Sequence, residues 1–309
     1  MITVRQLSYF VAAAEHEGTA QAARALHVSQ PAISVAIRQL EEGIGQPLFV
    51  RRHAQGLILT QAGRDKLAEA RSILSQINAW AASPGVSSGR QTFVDVGCLT
   101  TLGPLHMPPI ISAFRHSHPH VEVRMREGDI EELHRLVDNG LIEVALLYDL
   151  DLGRTGAAET VAEFQPYVLV PASHPLADKR RVRLQDVAAW PLILINLPHS
   201  RDYFLALFRQ AGVTPTLGME ARTIDMVRGL VANGLGIALL TTRSRSGVSE
   251  DGLPLAIVEL EDALPPQKAA IITPSQFPIT WMASAFIDHV RAHFGQSQEA
   301  SSAEGQQCA

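Results

Sequence analysis

Residues 19–39 (TAQAARALHVSQPAISVAIRQ) constrain the fold of this chain more than any other stretch. Apolar residues recur at helical spacing on both sides of a short interruption at His27 and Val28, which predicts two short helices joined by a tight turn. Pro31 falls in the first turn of the second helix, where an N–H group has no helical partner. The segment therefore predicts a helix-turn-helix.

Each of these helices has a candidate capping residue. Thr19 is predicted to N-cap the first helix and Ser29 the second. The residues of the second helix that are predicted to pack inward follow the helical period: Ile33, Ile37, Leu40 and Ile44. Its outer face carries amide, guanidinium and small apolar side chains, which suit adenine, guanine or phosphate, and the thymine methyl group. Taken alone, the same pattern also fits the solvated face of an ordinary helical hairpin.

The following segment favours the DNA-binding interpretation. Residues 48–52 (LFVRR) and 57–60 (LILT) predict two strands, joined by a turn over 53–56. This hairpin resembles the wing of a winged helix-turn-helix, which reaches phosphates or the minor groove through basic residues near its tip. The basic residues at this tip are Arg51, Arg52 and His53.

A long helix is predicted after the hairpin, over residues 61–82, with Thr60 as its N-cap. Its apolar positions are spaced alternately by three and four residues: Leu67, Ala70, Leu74, Ile77 and Ala81. That spacing predicts a short coiled-coil seam and therefore a dimer. A two-fold dimer is what a palindromic operator requires.

Together these features resemble the LysR-type transcriptional regulators. The resemblance rests on AAxxLxVSQPAISxxIRxLE over 22–41, on Gly45, on LFxRR over 48–52 and on LTxAG over 59–63. One departure is Ala20-Gln21, where the family often has an aromatic residue or Thr before Ala; this bears on base preference and not on the fold. The resemblance implies an α/β protein with an N-terminal winged helix-turn-helix, a long linker helix and a two-lobed effector domain like the periplasmic binding proteins.

The expected organisation follows from the resemblance and the residue patterns together. Residues 1–60 form the DNA-binding domain, 61–90 the linker (dimerisation) helix and a hinge, 91–295 the effector-binding domain, and 296–309 a disordered tail. Lobe I of the effector domain comprises 91–162 and 266–295, and lobe II comprises 163–265. The expected DNA-binding residues are Thr19, Ala20, Gln21, Ser29, Gln30, Pro31, Ala32, Ser34, Val35, Arg38, Gln39, Arg51, Arg52 and His53.

The C-terminal half supports this division. Strands and helices alternate from residue 93 onward, which predicts a parallel sheet with ligands at the carboxyl ends of its strands. The resemblance continues there in a stretch similar to LPxxIxxFRxxxPxVEVxxxEG, weakened by His106-Met107, and in VxxGLGIALL over 231–240. It implies that a small-molecule effector binds between the two lobes.

Candidate effector residues lie where strands end and helices begin: Thr100, Thr101, Leu102, Tyr148, Asp149, Ser200, Arg201, Tyr203 and Thr223. Hydroxyls and helix N–H groups suit a carboxylate, so an organic acid is the expected effector. Arg201 is the candidate for pairing that acid, with an ion pair to Asp202 or another surface carboxylate as the alternative. Simple helix capping is the alternative for Thr101 and Thr223.

Composition and charge limit the other classes of function. The chain has an overall charge of −5, but residues 1–90 carry nine Lys and Arg against six Asp and Glu, which suits an anion-binding module on an acidic body. The histidines at 116, 118 and 120 precede a strand and are interrupted by Pro119, so neither a metal site nor a cofactor is predicted. Cys98 is expected to be buried, and no disulfide framework is possible with two cysteines.

The sequence therefore predicts a DNA-binding transcription regulator and not an enzyme. Its expected partners are double-stranded operator DNA, a small-molecule effector and further copies of itself, as a dimer or as a tetramer formed by two dimers; RNA polymerase is an additional candidate partner. A cytoplasmic location is expected, with no membrane association. An enzyme or transport-type binding protein built on the α/β half, and a regulator that needs no ligand, are the rival interpretations. Activation and repression both remain open.

Overall fold

The computed structural model describes residues 1–52, 56–81, 92–149, 157–244 and 246–307. The N-terminal part consists of α1 (Val4–Glu15), α2 (Thr19–Ala25), α3 (Gln30–Ile44), the antiparallel hairpin β1 (Phe49–Arg52) and β2 (Gly56–Leu59), and the long helix α4 (Gln61–Ala81). This order is the winged helix-turn-helix followed by a linker helix that the sequence predicts.

The N-terminal core is built from the apolar faces of these helices. Phe10, Ile33, Leu40 and Leu48 are almost completely buried in it. The carboxylate of Glu41 on α3 accepts hydrogen bonds from the backbone N–H groups of Leu48 at 2.8 Å and Phe49 at 3.2 Å. The hairpin is therefore attached to the end of α3 by a charged acceptor as well as by apolar contacts.

The three capping predictions have different outcomes. Gly18 occupies the N-cap position of α2, so the prediction that Thr19 caps this helix is wrong; Thr19 is the first helical residue. Ser29 is the N-cap residue of α3, but its side chain makes no capping hydrogen bond. Thr60 does cap α4, because its hydroxyl accepts from the Gly63 N–H at 2.9 Å and donates to the Pro47 carbonyl at 2.7 Å.

Part of the seam predicted on α4 is buried within this same chain. Leu67 and Ala70 are buried in the core of the N-terminal domain, where α4 packs against α1. Ala79, which lies outside the predicted seam, is buried in the core of the C-terminal domain. The apolar side chains of α4 that remain most exposed are Ile73 at 46% and Trp80 at 80%. The long helix forms as the spacing predicts, but part of the apolar face of α4 packs against this same chain.

The C-terminal domain has two sheets, each covered by helices. Its elements are, in chain order, β3 (Thr92–Leu99), α5 (Gly103–Ser117), β4 (Val121–Gly128), α6 (Ile130–Asp138), β5 (Val144–Asp149), β6 (Ala157–Phe164), β7 (Tyr167–Pro171), β8 (Arg181–Val182), α7 (Leu184–Ala188), β9 (Leu192–Ile195), α8 (Ser200–Gln210), β10 (Leu217–Ala221), α9 (Ile224–Ala232), β11 (Ile237–Leu240), β12 (Leu255–Leu260), β13 (Gln267–Thr273) and α10 (Trp281–Gln307).

The strand order defines the two lobes. Lobe I contains the sheet β4-β3-β5-β13-β6, and lobe II contains the sheet β10-β9-β11-β7-β12-β8. The chain crosses between them twice, from β6 to β7 and from β12 to β13. The predicted parallel pairing holds for β4, β3 and β5, whereas β13 runs antiparallel to both β5 and β6. Strand β13 is antiparallel to its neighbours because the chain returns to lobe I from lobe II before it forms this strand.

The C-terminal helix is longer than expected. The structure includes residues 296–307, which the sequence predicts as part of a disordered tail, in α10. This stretch contains Ala, Glu and Gln, which favour a helix. The predicted hinge over 83–89 and Cys308 lie outside the described residues. In the part of the chain that the structure describes, no helix is long and apolar enough to cross a membrane.

Candidate functional sites: a helix-turn-helix surface and an interlobe cleft

Several of the residues expected to contact DNA lie close together where α2 and α3 begin. His27 adopts a left-handed backbone conformation with φ of 53°, and the Val28 N–H donates to the Ala23 carbonyl at 3.0 Å. This tight turn brings the start of α3 next to the start of α2. The Gln30 amide donates to the Thr19 hydroxyl at 3.1 Å, so two residues that are eleven positions apart form one polar patch.

The outer face of α3 continues this patch. Its exposed side chains are Gln30, Pro31, Ala32, Val35, Arg38 and Gln39, and Ser34 is half-buried. Ile33, Ala36 and Ile37 are buried on the opposite face. The Gln6 amide donates to the Gln39 side chain at 3.2 Å and thereby joins α1 to the end of the surface. A helix that presents this mixture of donors and apolar groups has the chemistry needed in a major groove.

The remaining expected contacts lie on α2 and on the hairpin. Thr19 and Ala20 are half-buried in the first turn of α2, and Gln21 is exposed. On β1, Arg51 pairs with Leu57 and Arg52 pairs with Gly56 of β2. His53 lies outside the described residues.

A second candidate site lies between the two lobes. The Tyr148 phenol of lobe I is 2.6 Å from the Thr242 hydroxyl and 3.2 Å from the Thr241 hydroxyl of lobe II. Thr241 in turn donates to the Gln267 side chain at 2.7 Å, and the Tyr167 phenol donates to the Thr242 carbonyl at 2.9 Å. All five residues are buried. Burial raises the pKa of Tyr148 to about 12, so the phenol is neutral at physiological pH.

A small cavity of about 20 Å³ adjoins this network. Its polar lining consists of Thr101, Tyr148, Ser200, Thr241, Thr242 and Gln267, and its apolar lining of Ile195, Phe204, Ile224 and Leu240. A volume of this size holds about one water molecule. The Thr101 hydroxyl is buried and has no hydrogen-bond partner among the described residues. In this closed arrangement the cleft contains a buried hydroxyl without a partner among the described residues, and very little space for a ligand.

Helix N-termini surround the cavity. Ser200 is the first residue of α8, Ile224 is the first residue of α9, and Thr101 lies two residues before α5. Backbone N–H groups at a helix N-terminus and the helix dipole both favour a negative charge. Among the described residues that line the cavity there is no Lys, Arg or His. An anion in the cleft would therefore be held by dipoles and hydroxyls.

Of the nine expected effector residues, three line this cavity: Thr101, Tyr148 and Ser200. The Thr100 hydroxyl donates to the Gly128 carbonyl, Leu102 is buried in the lobe I core, and Asp149 is half-buried at the end of β5. The Tyr203 phenol donates to the Pro265 carbonyl. Thr223 is the N-cap of α9, where its hydroxyl accepts from the Met226 N–H.

Arg201 makes the ion pair that the sequence left as the alternative to ligand binding. Its Nε lies 2.9 Å from the Glu220 carboxylate, and both side chains are more than a third exposed. Arg201 does not line the cavity. The lining residues that the sequence did not single out include Thr241, Thr242 and Gln267. The first two directly follow β11, which is the same signal that identified Thr101 after β3.

The helix-turn-helix surface and the two-lobed domain define a DNA-binding regulator that carries a ligand-binding domain. The family model for the bacterial regulatory helix-turn-helix protein of the lysR family matches residues 4–64. The model for the LysR substrate binding domain matches residues 87–295. The chain belongs to the LysR family of transcriptional regulators.

Individual relatives agree with this assignment. The HTH-type transcriptional regulator CfxR of Cupriavidus necator is 32% identical to this chain, over 78% of this chain and 76% of that protein. The hydrogen peroxide-inducible genes activator of Dickeya chrysanthemi is 28% identical, over 98% of this chain and 99% of that protein. HinK, a LysR family transcriptional regulator from Pseudomonas aeruginosa, has a crystal structure that matches this one with a TM-score of 0.63. The match covers 96% of this chain and 99% of that chain, and the two sequences are 33% identical.

Proposed function

We propose that this regulator responds to a small carboxylate that binds in the interlobe cleft, and that binding changes the affinity or placement of the protein on its operator. The observation that carries the proposal is the buried, unpartnered Thr101 hydroxyl in a cavity bordered by three helix N-termini. Hydroxyls and helix dipoles can hold a carboxylate without a cationic side chain. A cavity of about 20 Å³ accommodates such a ligand only when the lobes separate, so binding is coupled to a change in cleft geometry.

The DNA contacts proposed for this function are those of α2, α3 and the hairpin. Arg38 is exposed on α3, where it can pair with guanine or with phosphate. Arg51, Arg52 and His53 of the hairpin segment are proposed to contact the DNA backbone. Because phosphate contacts release counterions, affinity should fall steeply with salt.

Self-association through α4 is part of the same proposal. Ile73, Ile77 and Trp80 are spaced by four and three residues and form an apolar stripe on one side of this helix. Ile73 and Trp80 are exposed, and burying them against a second copy would remove apolar surface from water. A dimer formed in this way would place two α3 helices on one operator.

The name of the Dickeya relative refers to genes induced by hydrogen peroxide. Direct peroxide sensing by this chain is not supported by the thiol that the structure describes. Oxidation by peroxide requires an accessible thiolate. Cys98 is completely buried, and burial raises the pKa of its thiol well above the ordinary value. The second cysteine of the chain, Cys308, lies outside the described residues.

The carboxylate proposal is tested by thermal unfolding in the presence of acetate, pyruvate, malonate or succinate, each at about 10 mM. At least one acid should raise the unfolding midpoint of the wild type. Thr101→Ala and Ser200→Ala should abolish the rise, and Arg201→Ala, outside the cavity, should retain it. The proposal fails if no acid raises the midpoint, or if the rise depends on Arg201 and not on Thr101.

A further inference from the structure

A second cavity, of about 490 Å³, lies where the DNA-binding domain and the linker helix meet lobe I. Its walls come from α1, α4, the first residues of β3, the edge strand β4 and the loop after α6. It lies at the opposite end of β3 from Thr101 and the interlobe cleft. Its volume falls within the range of small-molecule sites in proteins.

Three guanidinium groups border this cavity: Arg71, Arg124 and Arg126. The Arg71 side chain is 13% exposed, and it donates to the Asn139 carbonyl at 3.2 Å and to the Glu15 carboxylate at 3.3 Å. Its Nε is buried and has no partner among the described residues. Arg126 makes no ion pair within the described part of the chain. The cavity therefore presents one buried guanidinium N–H group without a partner among the described residues, and one exposed guanidinium group, that of Arg126.

The carboxylates of the cavity already have partners, two of them among its own guanidinium groups. Glu15 pairs with Arg71, and Glu143 accepts from the Thr280 N–H at 3.0 Å and the Thr280 hydroxyl at 2.9 Å. Asp95 lies beside Arg124 in the β3–β4 ladder and is more than half-buried. Burial raises the pKa of Asp95, although Arg124 and Arg126 oppose this rise. These acids balance the cationic charge of the wall, and Asp95 interacts electrostatically with Arg126 without forming an ion pair with it.

The same cavity has an apolar side. Arg124 lies over the Phe93 ring with its guanidinium carbon 3.6 Å from the ring centroid. Further apolar groups in the lining are Leu74, Leu141, Ile142, Phe277 and Met282. A molecule that fills this volume would meet guanidinium donors as well as apolar side chains.

We propose that this cavity is a second ligand site, which binds an organic anion with an oxyanion head on Arg71 and Arg126 and an apolar body against Phe93. A carboxylate, a sulfonate or a phosphate ester provides the head group, since each accepts from guanidinium in the same way. The site is separate from the interlobe cleft and does not depend on the cleft ligand.

The position of the cavity gives the ligand an effect on domain docking. Helix α4 is attached to lobe I by the Trp281 indole N–H, which donates to the Ala79 carbonyl at 3.1 Å. The Gln76 amide donates to the Pro278 carbonyl at 2.8 Å. A ligand that contacts both Arg71 on α4 and Arg126 on lobe I adds a third connection. It stabilises the docked arrangement of the linker helix and thereby influences where the DNA-binding domain lies.

The test is a fluorescence titration of the full-length protein with 8-anilinonaphthalene-1-sulfonate, which joins a sulfonate to an apolar aromatic body. The expected result is a saturable site of about one equivalent per chain, since one cavity of this kind is proposed per chain. Arg126→Ala should weaken binding roughly ten-fold or more because it removes a charge-assisted contact. Arg135→Ala, an exposed arginine on α6 that does not line the cavity, is the matched control and should leave the affinity unchanged.

Two further variants locate the bound probe. Asn78→Trp adds a large side chain to the cavity from α4 and should also weaken binding, whereas Thr101→Ala in the cleft should not. Binding that is not saturable, or that responds equally to Arg126→Ala and Arg135→Ala, would overturn the proposal. So would binding that is lost in Thr101→Ala and retained in Arg126→Ala, since the probe would then occupy the cleft.

Discussion

The Tyr148 phenol of lobe I lies 2.6 Å from the Thr242 hydroxyl of lobe II, and both side chains are buried. This hydrogen bond crosses the cleft in which the effector is proposed to bind. Opening of the lobes must break it, so it contributes to the stability of the closed state. A buried hydrogen bond of this kind contributes about 1 kcal/mol net, and leaving its partner unsatisfied costs about 1–3 kcal/mol.

Tyr148→Phe is predicted to lower the free energy of unfolding by roughly 1–2 kcal/mol, as measured by urea denaturation. The pKa of Tyr148 is raised to about 12 in the folded protein, against about 10 in an unfolded chain. The stabilisation by the phenol is therefore fully present below the unfolded pKa and is lost as the pH rises from there through the folded pKa. The difference in the free energy of unfolding between wild type and Tyr148→Phe should be constant from neutral pH up to the pKa of tyrosine in the unfolded chain. A difference that already disappears near neutral pH would contradict this.

The sequence predicts the N-terminal domain well because its determinants are local. The spacing of Ile33, Ile37 and Leu40 identifies the buried face of α3, and the exposed face follows from it. The cleft is different, because Tyr148, Thr242 and Gln267 come from three distant strand ends. Only the double crossing between lobes brings them together. The charge of Arg201 suggests a contact with an acidic ligand, but in the structure its guanidinium group forms an ion pair with Glu220 on β10.

Gly63→Ala is predicted to destabilise the N-terminal domain. A β-carbon at Gly63 would lie 2.1 Å from the Leu48 carbonyl oxygen, so the first turn of α4 would have to move away from the hairpin. Overpacking of this kind costs about 1–3 kcal/mol. The control is Gly43→Ala within α3, where the added carbon would meet only Ile2 at 3.5 Å. Its expected effect on the thermal midpoint is neutral or stabilising, and equal losses in both variants would contradict the prediction.

Glu143→Gln is predicted to stabilise the protein at neutral pH. Burial raises the pKa of Glu143, so the folded state resists ionisation of a carboxyl that ionises freely when the chain is unfolded. Stability is therefore lost as the pH rises from the ordinary carboxyl pKa through the higher folded pKa. The neutral amide does not incur this loss, so a higher free energy of unfolding than that of the wild type is expected above that range. A variant that is stabilised equally in acid, below the ordinary pKa of Glu, would show that the effect is not ionisation.

Ile73→Asp is predicted to weaken self-association, because it places a charge in the exposed apolar stripe of α4. Sedimentation velocity over a range of protein concentrations measures this as a shift towards the monomer. Asn78→Asp adds the same charge to the same helix outside the stripe and serves as the control. If Ile73→Asp and Asn78→Asp sediment as the wild type does, the proposed α4 interface is wrong.

Binding to the DNA upstream of its own gene, measured by fluorescence anisotropy over a series of salt concentrations, tests the central claim most directly. The wild type should bind, with affinity that falls steeply as salt increases. Arg38→Ala should weaken binding roughly ten-fold or more, and the salt dependence should become shallower by about one counterion if Arg38 contacts phosphate. Arg209→Ala, an exposed arginine on α8, should bind as the wild type does. The absence of binding at low salt, or identical affinity for Arg38→Ala and Arg209→Ala, would contradict the assignment of the α3 surface to DNA.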